Sequence, residues 1–283
     1  MNFSTIVCFV SFLLLFLSSC GNGGSSSSAL DGGDSSSSQC SSSSLSKESS
    51  SSENEKPEYV TDSRDGRAYR IEKIGYQTWM AENLNYRYLA KTSQLDSSSF
   101  CYDNDSLNCE KYGRLYSWSA AMDSSSEFGS KGAGCGFSKE CKPKGFVRGV
   151  CPEGWHLPTD GEWMTLVSFV GDKSLAGKEL KSTDGWGSYG ESRSGNGVDT
   201  YAFAALPAGI RVGMTSEIYD EYDDIYFTIG NYEQLGGMAC FWSSTEDGKD
   251  YGYYWMFSLG NSVGNAWVDK SIGCSVRCVK DSE

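Results

Sequence analysis

Eight cysteines fall between positions 101 and 278 of this 283-residue chain, and their number constrains the fold more than any other feature. Cys101, Cys109, Cys135, Cys141, Cys151, Cys240, Cys274 and Cys278 form an even set, as a disulfide framework requires. Such a set points to an oxidising compartment, because a reducing cytosol keeps thiols free. Eight cysteines allow on the order of a hundred pairings. Proximity favours Cys101–Cys109 and Cys135–Cys141 as local loop staples. For the remaining four we expect Cys151–Cys278 and Cys240–Cys274, the first joining the start of a capped helix to the last strand. Zinc, the rival use of clustered cysteines, fails on spacing, since no C-x-x-C pair exists. No metal and no cofactor is expected.

Three further cysteines lie upstream. Residues 6–17 are almost wholly apolar, about a dozen residues, which is short of the roughly 20 that cross a bilayer. The run ends in Leu17-Ser18-Ser19-Cys20, which resembles a bacterial lipobox. The basic residues that usually precede such a run are missing. The resemblance implies a signal peptide over 1–20, with Cys8 removed and Cys20 carrying the lipid that holds the protein on a membrane. More than one acyl chain is needed for that, because a single chain binds only marginally. Residues 21–52 then hold 17 serines, with Gly, Asp and Glu in most gaps. Such a segment buries too little apolar area to offset the entropy of ordering it. We read 21–56 as a disordered tether with a span of about 30–36 Å. Cys40 lies within it, free or bridged to another molecule.

From residue 57 aromatic residues and glycine replace the serine runs, and 57–283 reads as one folded head. Residues 67–74 and 76–80 have strand character around Gly75 and predict a hairpin. Tyr112, Leu115, Tyr116, Ser119 and Met122 fall at helical spacing and predict a helix over 111–122. Thr159 and Glu162 make a capping box ahead of Trp163, Leu166, Val167 and Val170, with Gly171 placed to end that helix. A second short helix is expected over 175–181. Residues 251–259 alternate with period two, and 265–269 and 274–280 read as two more strands. Short strands, Gly-rich turns and few helices indicate an α+β fold with helices packed on twisted antiparallel sheets. No internal repeat is found.

Several motifs occur in order: Asp65-Gly66-Arg67-Ala68-Tyr69, the run from Gly75 to Tyr86, Tyr112-Gly113-Arg114-Leu115-Tyr116-Ser117-Trp118, Cys151-Pro152-Glu153-Gly154-Trp155-His156-Leu157-Pro158, Leu206-Pro207-Ala208-Gly209, Phe241-Trp242-Ser243-Ser244-Thr245 and the run from Ser275 to Lys280. Together they resemble the Fibrobacter succinogenes major paralogous domain, over nearly all of 60–281. Members sit typically on exported or lipid-anchored bacterial proteins, and their biochemical role is not established. The family is similar in pattern to the C-type lectin-like fold. That resemblance implies Cys151–Cys278 as an outer bridge and Cys240–Cys274 as an inner one, with a ligand surface built from the long-loop region, roughly 184–238, and the strands after it.

Composition bounds the function. A net charge of -13 disfavours nucleic acid, whose phosphates need a basic surface. A single histidine, His156, leaves little imidazole chemistry, and we expect it to play a structural hydrogen-bonding part in the Trp-His-Leu-Pro turn. The sugar-binding triplets of calcium lectins are absent, and the acidic run Glu217, Asp220, Glu221, Asp223 and Asp224 reads as a solvated loop. Sugar binding without calcium needs flat aromatic faces edged by polar groups. Trp186, Tyr189, Tyr219, Tyr222 and Tyr226 are the candidates in the long-loop region, with Trp255 and Trp267 in the strands beyond. The expectation is a lipid-anchored, non-catalytic binding or adhesion module of the bacterial cell envelope, at the outer membrane or cell surface, recognising polysaccharide or protein. The alternatives are a structural envelope lipoprotein with no ligand, and an enzyme similar to the formylglycine-generating enzymes. The latter share a segment like Leu157–Trp163 but need a reactive cysteine pair in an Arg-Gly-Gly-Ser context that this chain lacks.

Overall fold

The computed structural model describes residues 56–89, 98–189, 193–213, 218–220, 225–227 and 230–282. The signal region, Cys8, Cys20, Cys40 and most of the tether lie outside them, as does the acidic loop apart from the backbone of Asp220. Residues Asn54–Glu283 form one unit.

Two sheets carry this unit. Strands β1 (Glu58–Thr61), β2 (Ala68–Ile74) and β3 (Gln77–Met80) form an antiparallel meander. The hairpin expected around Gly75 is present, with Ile74 paired to Gln77. Further strands are β4 (Ser99–Phe100), β5 (Leu115–Tyr116), β6 (Trp155–His156), β7 (Ala239–Asp247), β8 (Tyr251–Phe257), β9 (Val263–Asp269), β10 (Cys274–Ser275) and β11 (Val279–Lys280). The first sheet runs β1–β2–β3–β11–β6, and the second runs β9–β8–β7–β10–β5–β4. Pairing is antiparallel except between β7 and β10, where Phe241 lies beside Ser275. Among the described residues there are also three two-stranded ribbons.

The stretch expected as one last strand, 274–280, is two short strands instead. β10 lies between β7 and β5, while β11 lies between β3 and β6. The chain changes sheet at Val276–Cys278, where the fully buried Arg277 donates to Asn83 Oδ1 and to the carbonyls of Phe203 and Ala204.

Four helices pack on the sheets: α1 (Ser106–Tyr112), α2 (Trp118–Ala121), α3 (Asp160–Val170) and α4 (Ala176–Leu180). The single helix expected over 111–122 does not form. Gly113 breaks it with a φ of 76°, and a Cβ there would lie 2.6 Å from the Cβ of Asn83. Only glycine accepts both conditions. The chain reverses there and Leu115–Tyr116 joins the sheet. By contrast α3 matches its sequence signature: the Thr159 hydroxyl accepts from the Glu162 N–H, the Glu162 carboxylate accepts from the Thr159 N–H, and Gly171 follows. Its buried face is Trp163, Leu166, Val167 and Val170, the four residues at helical spacing.

The core has two main clusters. One gathers Tyr116, Trp118, Trp155 and Trp242 around the long-range bridges. The other gathers Trp79, Trp163, Phe203, Phe241 and Trp255 beneath α3. Buried indole N–H groups are given acceptors, as burial demands: Trp118 donates to Ser243 O, Trp163 to Trp242 O, and Trp242 to Tyr116 O. All four disulfides form as expected. The bridges are Cys101–Cys109, Cys135–Cys141, Cys151–Cys278 and Cys240–Cys274. Among the described residues no helix is long and apolar enough to cross a membrane.

Candidate functional site

Strand β8 carries an aromatic row on one face, Tyr251, Tyr253, Trp255 and Phe257. Trp255 and Phe257 are fully buried beneath α3. The cover stops there, because the first residue of α3, Asp160, is fixed to the strands. Its carboxylate accepts from Trp255 Nε1 at 2.8 Å and from Asn265 Nδ2 at 2.9 Å. Beyond that point the same face continues uncovered. Tyr253 is half-buried and pairs with Trp267 across the β8–β9 ladder. Tyr251 and Trp267 are 41% and 42% exposed, with ring centroids 4.7 Å apart. Asp269, paired with Tyr251, and the Lys173–Asn265 contact supply polar groups at the margin. Strand β9 is an edge of its sheet, so the face is open along one side.

The loop residues fare differently. Trp186 is a core residue, 6% exposed, and this corrects the expectation that it offers a ring to ligand. Its indole N–H is held by Ser182 Oγ and Ala205 O, and the Lys181 ammonium lies 4.6 Å from its ring. Tyr219 and Tyr226 pair across the ribbon of Ile218–Asp220 with Ile225–Phe227, and Tyr189 pairs with Arg193. The side chains of these three, and Tyr222 altogether, lie outside the described residues. Trp267 was within reach of sequence reasoning, but period-two strands normally turn their aromatics inward. What exposes it is how far α3 reaches, which one strand's pattern does not contain.

A second feature surrounds the single histidine. The ring of His156 is buried, with Nδ1 2.7 Å from Asp281 Oδ1 and Nε2 2.8 Å from Glu162 Oε1. Burial works against its charged form, but hydrogen bonds and charge from Glu162 and then Asp281 outweigh that and raise its pKa above the ordinary 6.5. Burial pushes the Glu162 carboxyl up, and the contacts with His156 and Thr159 bring it below its ordinary value. One ring face of His156 stacks on Phe146, centroids 4.3 Å apart. Phe146, His156, Lys131, Arg148 and Asp281 line a cleft of about 480 Å³. The arrangement agrees with a hydrogen-bonding part for His156: both nitrogens are already engaged.

Among the described residues no group of three or more His, Cys, Asp or Glu side chains could hold a metal ion. The family model described as the Fibrobacter succinogenes major domain matches residues 73–280. Neither the comparison with curated proteins nor that with solved structures finds a match.

Proposed function

This chain belongs to the Fibrobacter succinogenes major domain family, and from that premise we propose that it is a non-catalytic surface-binding module, anchored by lipid on Cys20 and recognising polysaccharide through the open end of the aromatic face. The observation that carries this reading is the Tyr251–Trp267 pair on an edge of a disulfide-stapled sheet. Aromatic faces stack on the apolar faces of sugar rings and need no metal to do so. A cluster of exposed rings on regular strands is a rigid platform, and rigidity lowers the entropy lost on binding. We read the fold as C-type lectin-like, with Cys151–Cys278 as outer bridge and Cys240–Cys274 as inner bridge. That reading rests on the two nested ties to the C-terminal strands and on α3 following the first of those cysteines.

The test is binding of the full chain to insoluble cellulose, xylan and chitin. Trp267→Ala and Tyr251→Ala should each weaken binding about ten-fold, the scale of a lost aromatic contact, with little change in Tm. If the unaltered protein bound none of these polysaccharides, the alternative of a structural envelope lipoprotein without ligand would replace this reading. Mass spectrometry of the N-terminus tests the anchor: the expected result is acylated Cys20, and an unmodified or differently cleaved terminus removes it.

A further inference from the structure

The segment 129–149 runs against the charge of the whole chain. It holds Lys131, Lys139, Lys142, Lys144 and Arg148 against one acid, Glu140, in a molecule of net charge -13. Two stretches of it wall the cleft beside His156, and both are pressed onto the end of α2. A Cβ on Gly132 would lie 1.6 Å from Met122 O, and one on Gly149, at a φ of 58°, would lie 2.1 Å from Ala121 O. Backbone contact this close fixes the walls, because neither can shift inward. The volume, about 480 Å³, lies in the range of small-molecule sites.

The lining is chemically specific. Phe146 spends one face on His156 and remains 44% exposed, so a flat apolar surface is open to the cleft. Lys131 and Arg148 bring two positive charges. Arg148 is held in place, its Nε donating to Cys151 O and its Nη1 to Phe128 O. The acid among the lining residues, Asp281, is already bound to His156.

We infer that this cleft is a binding site for a carboxylate-bearing sugar ring, a hexuronate, with the ring laid against Phe146 and the carboxylate met by Lys131 and Arg148. The site is separate from the Tyr251–Trp267 platform and stands whether or not that platform binds polysaccharide.

The experiment is titration of the full chain with glucuronate and galacturonate, followed by calorimetry, with glucose, galactose and inorganic sulfate as controls. The uronates should bind, and the neutral sugars and sulfate should bind at least about ten-fold more weakly. Lys131→Ala and Phe146→Ala, both at exposed positions, should each cost about five-fold, the size of one modest contact. Their Tm values should match the parent, and Trp267→Ala should leave uronate affinity unchanged. Three results would overturn the inference: no uronate binding at millimolar concentration, equal binding of the neutral sugars, or sulfate binding as tight as uronate and indifferent to Phe146→Ala. Uronate binding lost in Trp267→Ala but kept in Lys131→Ala would assign the sugar to the platform and remove the site from this cleft.

Discussion

Three positive charges are buried in the folded head. Lys181, Lys270 and Arg277 are each at most 1% exposed. A buried charge is tolerated only when its hydrogen-bonding capacity is met. Lys181 Nζ donates to the carbonyls of Gly195, Ser258, Leu259 and Gly260. Lys270 Nζ reaches Glu246 and the carbonyls of Lys139, Gly248 and Lys249. Each of these lysines thus ties several backbone carbonyls together. Lys181→Met keeps the stem but orphans the carbonyls, and should cost about 3 kcal/mol or more, read as a fall in the urea midpoint. Loss of no more than a surface substitution would show the carbonyls find water instead. His156 and Glu162 set a pH dependence. The raised pKa of His156 makes its contribution full below about 6.5 and lost as pH climbs through the folded value. The lowered pKa of Glu162 makes its contribution full above about 4.5 and lost as pH falls through the folded value. Tm should therefore peak between about pH 4.5 and 6.5. His156→Gln should flatten the alkaline side of that profile, and a parallel profile in the variant would locate the dependence elsewhere.

At the scale of elements, α3 was the most legible part of the chain, because its cap, its apolar face and its terminating glycine are all local. Thr159→Ala should cost about 1 kcal/mol, measured by chemical denaturation, since one orphan N–H loses its acceptor. The β2–β3 hairpin and the alternation in β8 were legible for the same reason. The helix expected across 111–122 failed because its period was real but Gly113 answers to Asn83, a residue thirty positions away in sequence. The buried cations were invisible as such: lysine and arginine read as solvated until the carbonyls that receive them are placed in space. The candidate platform lay half in view. Its rings are plain in the alternation of β8, yet which of them emerge depends on where Asp160 anchors the helix above.

For the molecule as a whole, the short segment from Cys274 to Lys280 organises everything else. It supplies the middle strand that unites β9–β8–β7 with β5–β4, and the one that unites β1–β2–β3 with β6. Both long-range disulfides end on it, at Cys274 and Cys278. The Cys151–Cys278 bridge closes a loop of 127 residues. Replacing both cysteines by serine should cost about 4–5 kcal/mol on the chain-entropy estimate, seen as a lowered denaturation midpoint under oxidising conditions. A chain delivered from its N-terminus therefore cannot complete either sheet until the segment from Cys274 to Lys280 has emerged. The order of delivery itself postpones the final locking of both sheets. A message cut short at Gly273 would yield a protease-sensitive polypeptide, whatever the quality of the rest of its core.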